Sequence, residues 1–178
     1  MRGRASRPKP ESDDAPVDAA AIQQRLKDGF GEQVGALESG HDPAIRVPPS
    51  AIVPVCRFLK SEADLAFDCL SNQSGVDYPA RGEIEVVYHL FSYRLRHTCV
   101  LKVAVPRDSP AMPTVCEVWR TAIWQEREIF DLLGVVFDGH PDLRRILLPE
   151  DWVGHPLRKD FVEPAEYHGI STKRESML

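Results

Sequence analysis

No stretch of this chain approaches the roughly 18 consecutive apolar residues that a bilayer-spanning helix needs. Any place at a membrane is therefore expected to come through partner chains. The first residues hold no apolar run either, which excludes a secretory signal. Arg2, Arg4, Arg7 and Lys9 give way to Glu11, Asp13 and Asp14 without an amphipathic pattern, unlike a transit peptide. Cysteine is sparse and scattered: Cys56, Cys69, Cys99 and Cys116 form no CxxC and no ligand-like spacing. That speaks against zinc and iron–sulfur sites and for buried reduced thiols. Gly29, Gly31 and Gly35 make no GxGxxG after a strand, so no phosphate-cradling loop is present. Basic residues are not in excess; the net charge of −5 argues against a nucleic-acid partner.

What is there suits one globular domain. The 178 residues can bury a single core, and 43% hydrophobic with 28% charged residues is an ordinary balance. Residues 1–16 read as a disordered tail, 17–133 as an α+β core, 134–161 as an extended segment continuous with it, and 162–178 as a polar tail. Ile22, Leu26 and Phe30, four apart, predict a helix stopped at Gly29. Short strands are expected over 32–37 and 44–47. A helix capped by Ser50 follows, burying Ile52, Val55, Cys56 and Leu59. A strand over 67–73 ends in loop signals at Ser74-Gly75 and 78–82. The clearest strands span 84–91 and 97–105. In the second, Cys99, Leu101, Val103 and Val105 share one face, so an antiparallel hairpin of a mixed or antiparallel sheet is expected. A proline-marked loop over 106–113 leads to a helix, with Trp119 and Trp124 expected in the core.

The stretch 126–161, EREIFDLLGVVFDGHPDLRRILLPEDWVGHPLRKDF, is the unusual part. On a helical wheel Glu126, Arg127 and Glu128 fall among Ile123, Trp124, Ile129, Phe130 and Leu132. A helix apolar on nearly every face is buried, so these charges are expected in a paired internal network, Arg127 with Asp131 four residues on and Arg144, Arg145, Arg158 and Lys159 as the further candidate partners. Gly134 suits a left-handed helix cap. Val135-Val136-Phe137 reads as a strand closed by Asp138-Gly139. Beyond it Gly-His-Pro occurs at 139–141 and again at 154–156, each followed by Leu and basic residues. Glycine permits positive φ, proline fixes its own, and a residue before proline is pushed to extended backbone. The result is a rigid segment without repeating hydrogen bonds, held by packing against something else.

This run resembles the signature of the C subunit of NADH:quinone oxidoreductase, respiratory complex I. Glu126, Arg127, Glu128, Asp131, Leu132, Leu133, His140, Arg144, Ile146 and Leu147 fill every specified place of that pattern, and the continuation 147–161 is also familial. So are Asp77-Tyr78-Pro79, VVYHL over 86–90 and Arg94-Leu95-Arg96. Members commonly read Trp-Pro-x-Ala-Asn-Trp where this chain has WRTAIW over 119–124, a departure confined to the local turn.

The resemblance implies a cofactor-free subunit of the peripheral arm, on the cytoplasmic side of the inner membrane without direct insertion. Its expected neighbours are the iron–sulfur and quinone-site subunits, called B and D. NADH, FMN, iron–sulfur clusters and quinone belong to the complex, and no catalytic residue is expected in this chain. The expected subunit interface is His140, Arg144, Arg145, Asp151, Trp152, His155, Arg158, Lys159 and Asp160, on the irregular segment. An equivalent subunit of an energy-converting membrane hydrogenase is the alternative. A third reading is a metal-dependent enzyme using His140 and His155 with Asp138, Asp142 or Asp151. Those histidines match no compact zinc motif. Glu126 and Glu128, two apart on a helix, do not form a facing acid–base pair.

Overall fold

The computed structural model describes residues 17–40 and 42–172; the tail expected over 1–16 lies outside them. Helix α1, Ala19–Phe30, opens where the Asp18 carboxylate accepts the Ala21 N–H at 2.8 Å. It buries Ile22 and Leu26. The helix runs through Gly29 and stops at Gly31, whose positive φ (62°) is one that glycine adopts without penalty. A 3-10 turn, Gly31–Gln33, therefore replaces the start of the expected strand, and only β1, Leu37–Glu38, forms there. Strand β2 is Ala44–Arg46. Ser50 lies inside a 3-10 turn, Pro49–Ala51, rather than capping α2, Ile52–Ser61. The buried face of α2 is Ile52, Val55, Cys56 and Leu59, as their spacing predicts.

Strands β3 (Cys69–Tyr78), β4 (Glu83–Phe91) and β5 (Thr98–Pro106) build the sheet, in the order β1-β2-β5-β4-β3. All pairs are antiparallel except β2 with β5. Val86 lies opposite Val103 and Leu90 opposite Cys99, so one face of the hairpin is continuous apolar surface. Helices α1, α2 and α3 (Ala122–Leu133) contribute to the same core, giving an α+β domain with a mixed sheet.

Two expectations fail here for one reason. Ser74-Gly75 lies within β3 and is no loop. Helix α3 packs so closely on β3 that a Cβ on Gly75 would stand 2.3 Å from Leu133 Cδ1 and 3.2 Å from Ile129 Cγ2. The glycine marks a close approach of helix to strand, not a turn. Because only one side of α3 meets the sheet and the chain beyond it, the opposite side is solvated. Trp124, expected in the core, is 60% exposed, whereas Trp119 is buried with its indole N–H on the Phe67 carbonyl at 3.0 Å.

The proline-marked loop holds a short strand, β6 (Ala111–Pro113), parallel to β7 (Val136–Asp138). From residue 139 to 165 the chain has no helix or strand. Where a polar tail is expected, β8 (Glu166–Tyr167) and β9 (Ile170–Ser171) form a small hairpin. Among the described residues no helix is long and apolar enough to cross a membrane.

Candidate functional site

The last carbonyls of any α-helix lack partners within the helix. In α3 the irregular segment supplies them. Gly134 turns left-handed (φ 80°) and returns its N–H to the Phe130 carbonyl. The Asp131 carbonyl accepts from Arg145 Nη1 (3.2 Å) and contacts His155 Nδ1 (2.9 Å). The Leu132 carbonyl accepts the Leu157 N–H (3.0 Å), and the Leu133 carbonyl accepts Arg158 Nε (2.8 Å). Two guanidiniums at the negative end of the helix dipole are favourably placed. Arg145 also donates Nη2 to the carbonyls of Trp152 (2.9 Å) and Gly154 (3.2 Å), gathering the segment around itself.

Side chains of α3 hold the same segment along its backbone. Arg127 donates Nε to the Arg144 carbonyl (3.0 Å) and Nη2 to the Arg145 carbonyl (2.9 Å). Asp131 accepts the N–H groups of Ile146 (3.0 Å), Leu147 (2.8 Å) and Leu148 (2.9 Å), and Arg145 Nη1 at 2.6 Å. Burial opposes the charge of Asp131, but these donors outweigh it and hold the carboxyl below its ordinary value. The Arg127–Asp131 pair expected within the helix is therefore not made: each residue spends its hydrogen bonds on the segment instead. The nearest acid to Arg127 is Asp142, at 3.9 Å.

The rest of the expected network divides. Glu128 is exposed, on the same side of α3 as Trp124, so it takes no part in a buried cluster. Glu126 is fully buried but faces the sheet. It accepts the Val115 N–H at 2.9 Å and the Thr114 hydroxyl, and no cation among the described residues pairs with it. Burial raises its pKa to about 7, against the opposing pull of those bonds and of Gln73.

A tether that sequence reasoning missed lies at the far end of the segment. Asp77, with a fully buried side chain, takes Arg107 Nε at 2.7 Å and Nη2 at 3.1 Å, and also the Lys159 N–H at 2.8 Å. Hydrogen bonding to Arg107 holds its carboxyl below the ordinary value. Arg107 pairs with Asp160 as well. The only signal was the Asp77-Tyr78-Pro79 match, which named no partner.

The histidines act on the backbone. His140 contacts the Ile123 carbonyl through Nε2 (3.1 Å) and accepts the Asp142 N–H at Nδ1 (3.0 Å). His155 lies at the other end of α3. Among the described residues no three His, Cys, Asp or Glu side chains gather as metal ligands. Asp151 accepts the Tyr167 hydroxyl (2.8 Å) and meets His168 Nε2 (2.7 Å), fastening the β8–β9 hairpin beside Trp152. Of the residues expected at a subunit interface, Arg145, His155 and Arg158 thus spend their hydrogen-bonding groups inside the chain. Arg144 and the side chain of Lys159 remain at the surface. So do apolar side chains that the sequence reading passed over: Leu147, Val153, Leu157 and Val162, between 52% and 83% exposed.

The residues that carry these tethers lie within a known family pattern. The family model described as the 30 kDa subunit of respiratory-chain NADH dehydrogenase matches residues 45–167, from β2 into β8. The chain belongs to this family. The NADH-quinone oxidoreductase C subunit of Roseiflexus castenholzii is 46% identical over 154 residues, covering 86% of this chain and 87% of the relative. The C subunit numbered 2 in Rhizobium meliloti is 49% identical over 138 residues, 74% and 73% of the two chains. Among solved structures, the trypsin-resistant fragment (1–134) of Nqo5 superposes with a TM-score of 0.58 at 26% identity, covering 68% of this chain and 98% of the fragment. A chain of the membrane-bound sulfane sulfur reductase, an archaeal respiratory membrane complex, gives 0.63 at 28% identity over 81% and 85%. The membership expected from the signature, that of the complex I C subunit, is the one the family model and the two C-subunit relatives give. Both solved relatives carry the α+β fold expected here.

Proposed function

We propose that this chain is a peripheral-arm subunit of proton-translocating NADH:quinone oxidoreductase that carries no redox centre. It supports assembly with the B-like iron–sulfur and D-like quinone-site subunits on the cytoplasmic side of the inner membrane. NADH, FMN, the clusters and quinone are held by other subunits in this reading. The observation that carries it is the division of labour in the irregular segment. Polar groups of 144–160 are spent on α3 and Asp77, while Leu147, Val153, Leu157 and Val162 face outward. A segment already fixed by its own chain loses little entropy on docking, and exposed apolar side chains supply the driving force. Arg144 and Lys159 flank that surface as charged rim, where they steer a partner more than they bind it.

Affinity recovery of the tagged protein from membranes tests the subunit reading, with the B-like and D-like subunits expected alongside it. Recovery of the chain alone overturns it. V153D with V162D tests the surface: both sites are highly exposed, so the free chain should melt as the wild type does while recovery of partners falls. Undiminished recovery would remove the segment from the interface and leave the subunit reading standing. A place in a related membrane complex is the second reading, favoured by the likeness to the sulfane sulfur reductase chain. The higher identities to the C-subunit relatives favour the first.

A further inference from the structure

Strand β3 ends the sheet on one side, and its outer edge has no neighbouring strand. The register shows which of its backbone groups are left over. At the two ends of the β4–β5 ladder the Ser92 N–H reaches the His97 carbonyl (3.1 Å) and the Arg107 N–H reaches the Gly82 carbonyl (2.8 Å). Hydrogen-bonded pairs alternate along an antiparallel ladder, so even-numbered residues of β4 serve β5 and odd-numbered ones serve β3. His89, Val87 and Glu85 stand opposite Asn72, Ser74 and Val76. The N–H and C=O groups of Gln73 and Gly75 therefore point away from the sheet. Leu70, before the bulge, follows the same alternation, and its outward carbonyl takes the Thr121 hydroxyl at 3.5 Å. Among the described residues no hydrogen bond reaches the outward groups of Gln73 or Gly75.

Both residues line a groove between β3 and α3, where Glu128 and Leu132 form the helix side and Leu157 of the irregular segment joins them. Trp124, Glu128 and Leu132 recur every four residues, so they make one stripe along α3. Trp124 is 60% exposed and Leu157 52%, and Glu128 is exposed without an ion pair among the described residues. A free strand edge beside an apolar wall is completed by another peptide in extended conformation, whose own N–H and C=O groups continue the ladder. Water alone would satisfy the backbone but leave the stripe uncovered. A second copy of this chain fits poorly, because a twofold pairing through β3 would bring two Glu128 carboxylates to one groove.

We propose that the β3–α3 groove receives an extended segment of a partner subunit as a sixth strand on the five-stranded sheet. Its backbone pairs with the outward groups of Gln73 and Gly75. Its apolar side chains cover Leu132 and Leu157, and a lysine or arginine meets Glu128. Leu157 also belongs to the apolar outer side of the irregular segment, so the two contact surfaces are continuous. This docking rests on the subunit reading above and adds to it a place and a backbone geometry.

Hydrogen exchange read amide by amide, in the free chain and in the complex recovered from membranes, tests the pairing. In the free chain Asn72, Ser74 and Val76 should be protected, while Gln73 and Gly75 exchange faster. In the complex Gln73 and Gly75 should slow by roughly tenfold or more. Unchanged exchange there, while the B-like and D-like subunits still co-purify, overturns the docking and leaves the subunit reading standing. Full protection of both amides already in the free chain overturns it too, and so does protection gained on concentrating the chain alone, which would assign the edge to a second copy. Recovery of the chain without partners overturns both readings. W124A and E128K, at exposed sites, test the stripe. The free variants should melt as the wild type does, and each should lower partner recovery roughly tenfold or more. Undiminished recovery in both overturns the proposal.

Discussion

Asp131 Oδ1 and Arg145 Nη1 meet at 2.6 Å across fourteen residues of sequence, and neither group serves only the other. The second oxygen of Asp131 takes three successive peptide N–H groups, and the second arm of Arg145 takes two carbonyls beyond them. The pair is the hub through which a helix end organises a segment that has no hydrogen-bond ladder of its own. Removing either member strands the other in a buried site, at a cost of roughly 3–5 kcal/mol. Against a total stability of roughly 5–15 kcal/mol for a domain, D131A and R145A should both lower the denaturation midpoint severely. R144A, whose side chain is exposed and pairs among the described residues with Asp142, should shift stability by no more than about 0.5 kcal/mol. Equal losses in all three would mean that Arg144 belongs to the hub along with Arg145.

Arg158 separates core from surface in a way its charge alone does not. Its Nε caps the Leu133 carbonyl, so R158A should cost roughly 1.5–3 kcal/mol, the range for a hydrogen bond to a charged group. Lysine at this position keeps the charge but loses the planar fork, and should recover only part of the loss. Urea denaturation of the two variants beside wild type measures both effects. Full recovery by lysine would reduce the role of Arg158 to its charge at the helix end.

Gly75 and Leu133 are coupled through space that only a missing Cβ leaves open. G75A places a carbon 2.3 Å from Leu133 Cδ1, and this overpacking should destabilise the domain by about 1–3 kcal/mol. L133A alone removes buried apolar volume and should cost about 2–5 kcal/mol. In the double variant the alanine methyl at 75 no longer meets a leucine branch, so the combined loss should fall short of the sum. Strict additivity in that double-mutant cycle would show that α3 moves aside instead.

Acid should unfold the protein through the tethered carboxylates. Asp131 and Asp77 both have folded-state pKa values held below the ordinary 3.8. Each therefore contributes stability that is complete above that value and is lost as pH falls through the depressed one. Circular dichroism at decreasing pH should show the loss beginning below about pH 4. D131N and D77N, with lower stability at neutrality, should show a shallower acid limb. An unchanged limb in both would assign acid unfolding to other groups.

What could be read in the chain follows from how each contact is spaced. The alternation Cys99, Leu101, Val103, Val105 and the face Ile52, Val55, Cys56, Leu59 are local periodicities, and both face the core as expected. Gly75 was misread because a glycine looks the same in a turn and under a packed helix. The buried charges of α3 were anticipated, and Arg145, which pairs with Asp131, was among the candidate partners, but the peptide groups that take most of the bonds were not. Arg127 and Asp131 bind peptide groups 15 to 18 residues away, and a peptide group has no letter in the sequence. Glu128 was drawn in because three charges in a row look alike until the helix meets only one surface. The apolar outer side of the irregular segment was missed because Leu147, Val153, Leu157 and Val162 have no common period.

The β8–β9 hairpin hangs on one carboxylate and one strained residue. His168 adopts φ 51° beside Gly169 at φ 76°, the left-handed pair that a two-residue hairpin turn requires. Glycine would be the comfortable residue at 168, since a side chain there carries a conformational penalty. The compensation is the contact of His168 Nε2 with Asp151 at 2.7 Å, beside the Tyr167 hydroxyl bond to the same carboxylate. Asp151 therefore decides whether the hairpin stays against Trp152. D151A should release residues 166–171 while leaving the main thermal transition in place, because the hairpin lies outside the core cluster. Limited proteolysis should then cut near the hairpin well before the wild type is cut, and fluorescence of the loosened Trp152 should move towards that of a solvated indole. H168G removes the strain and the Asp151 contact together, so it should protect better than D151A, which removes both tethers and keeps the strain. If D151A lowered the main transition as far as D131A does, the hairpin would be part of the domain's cooperative unit.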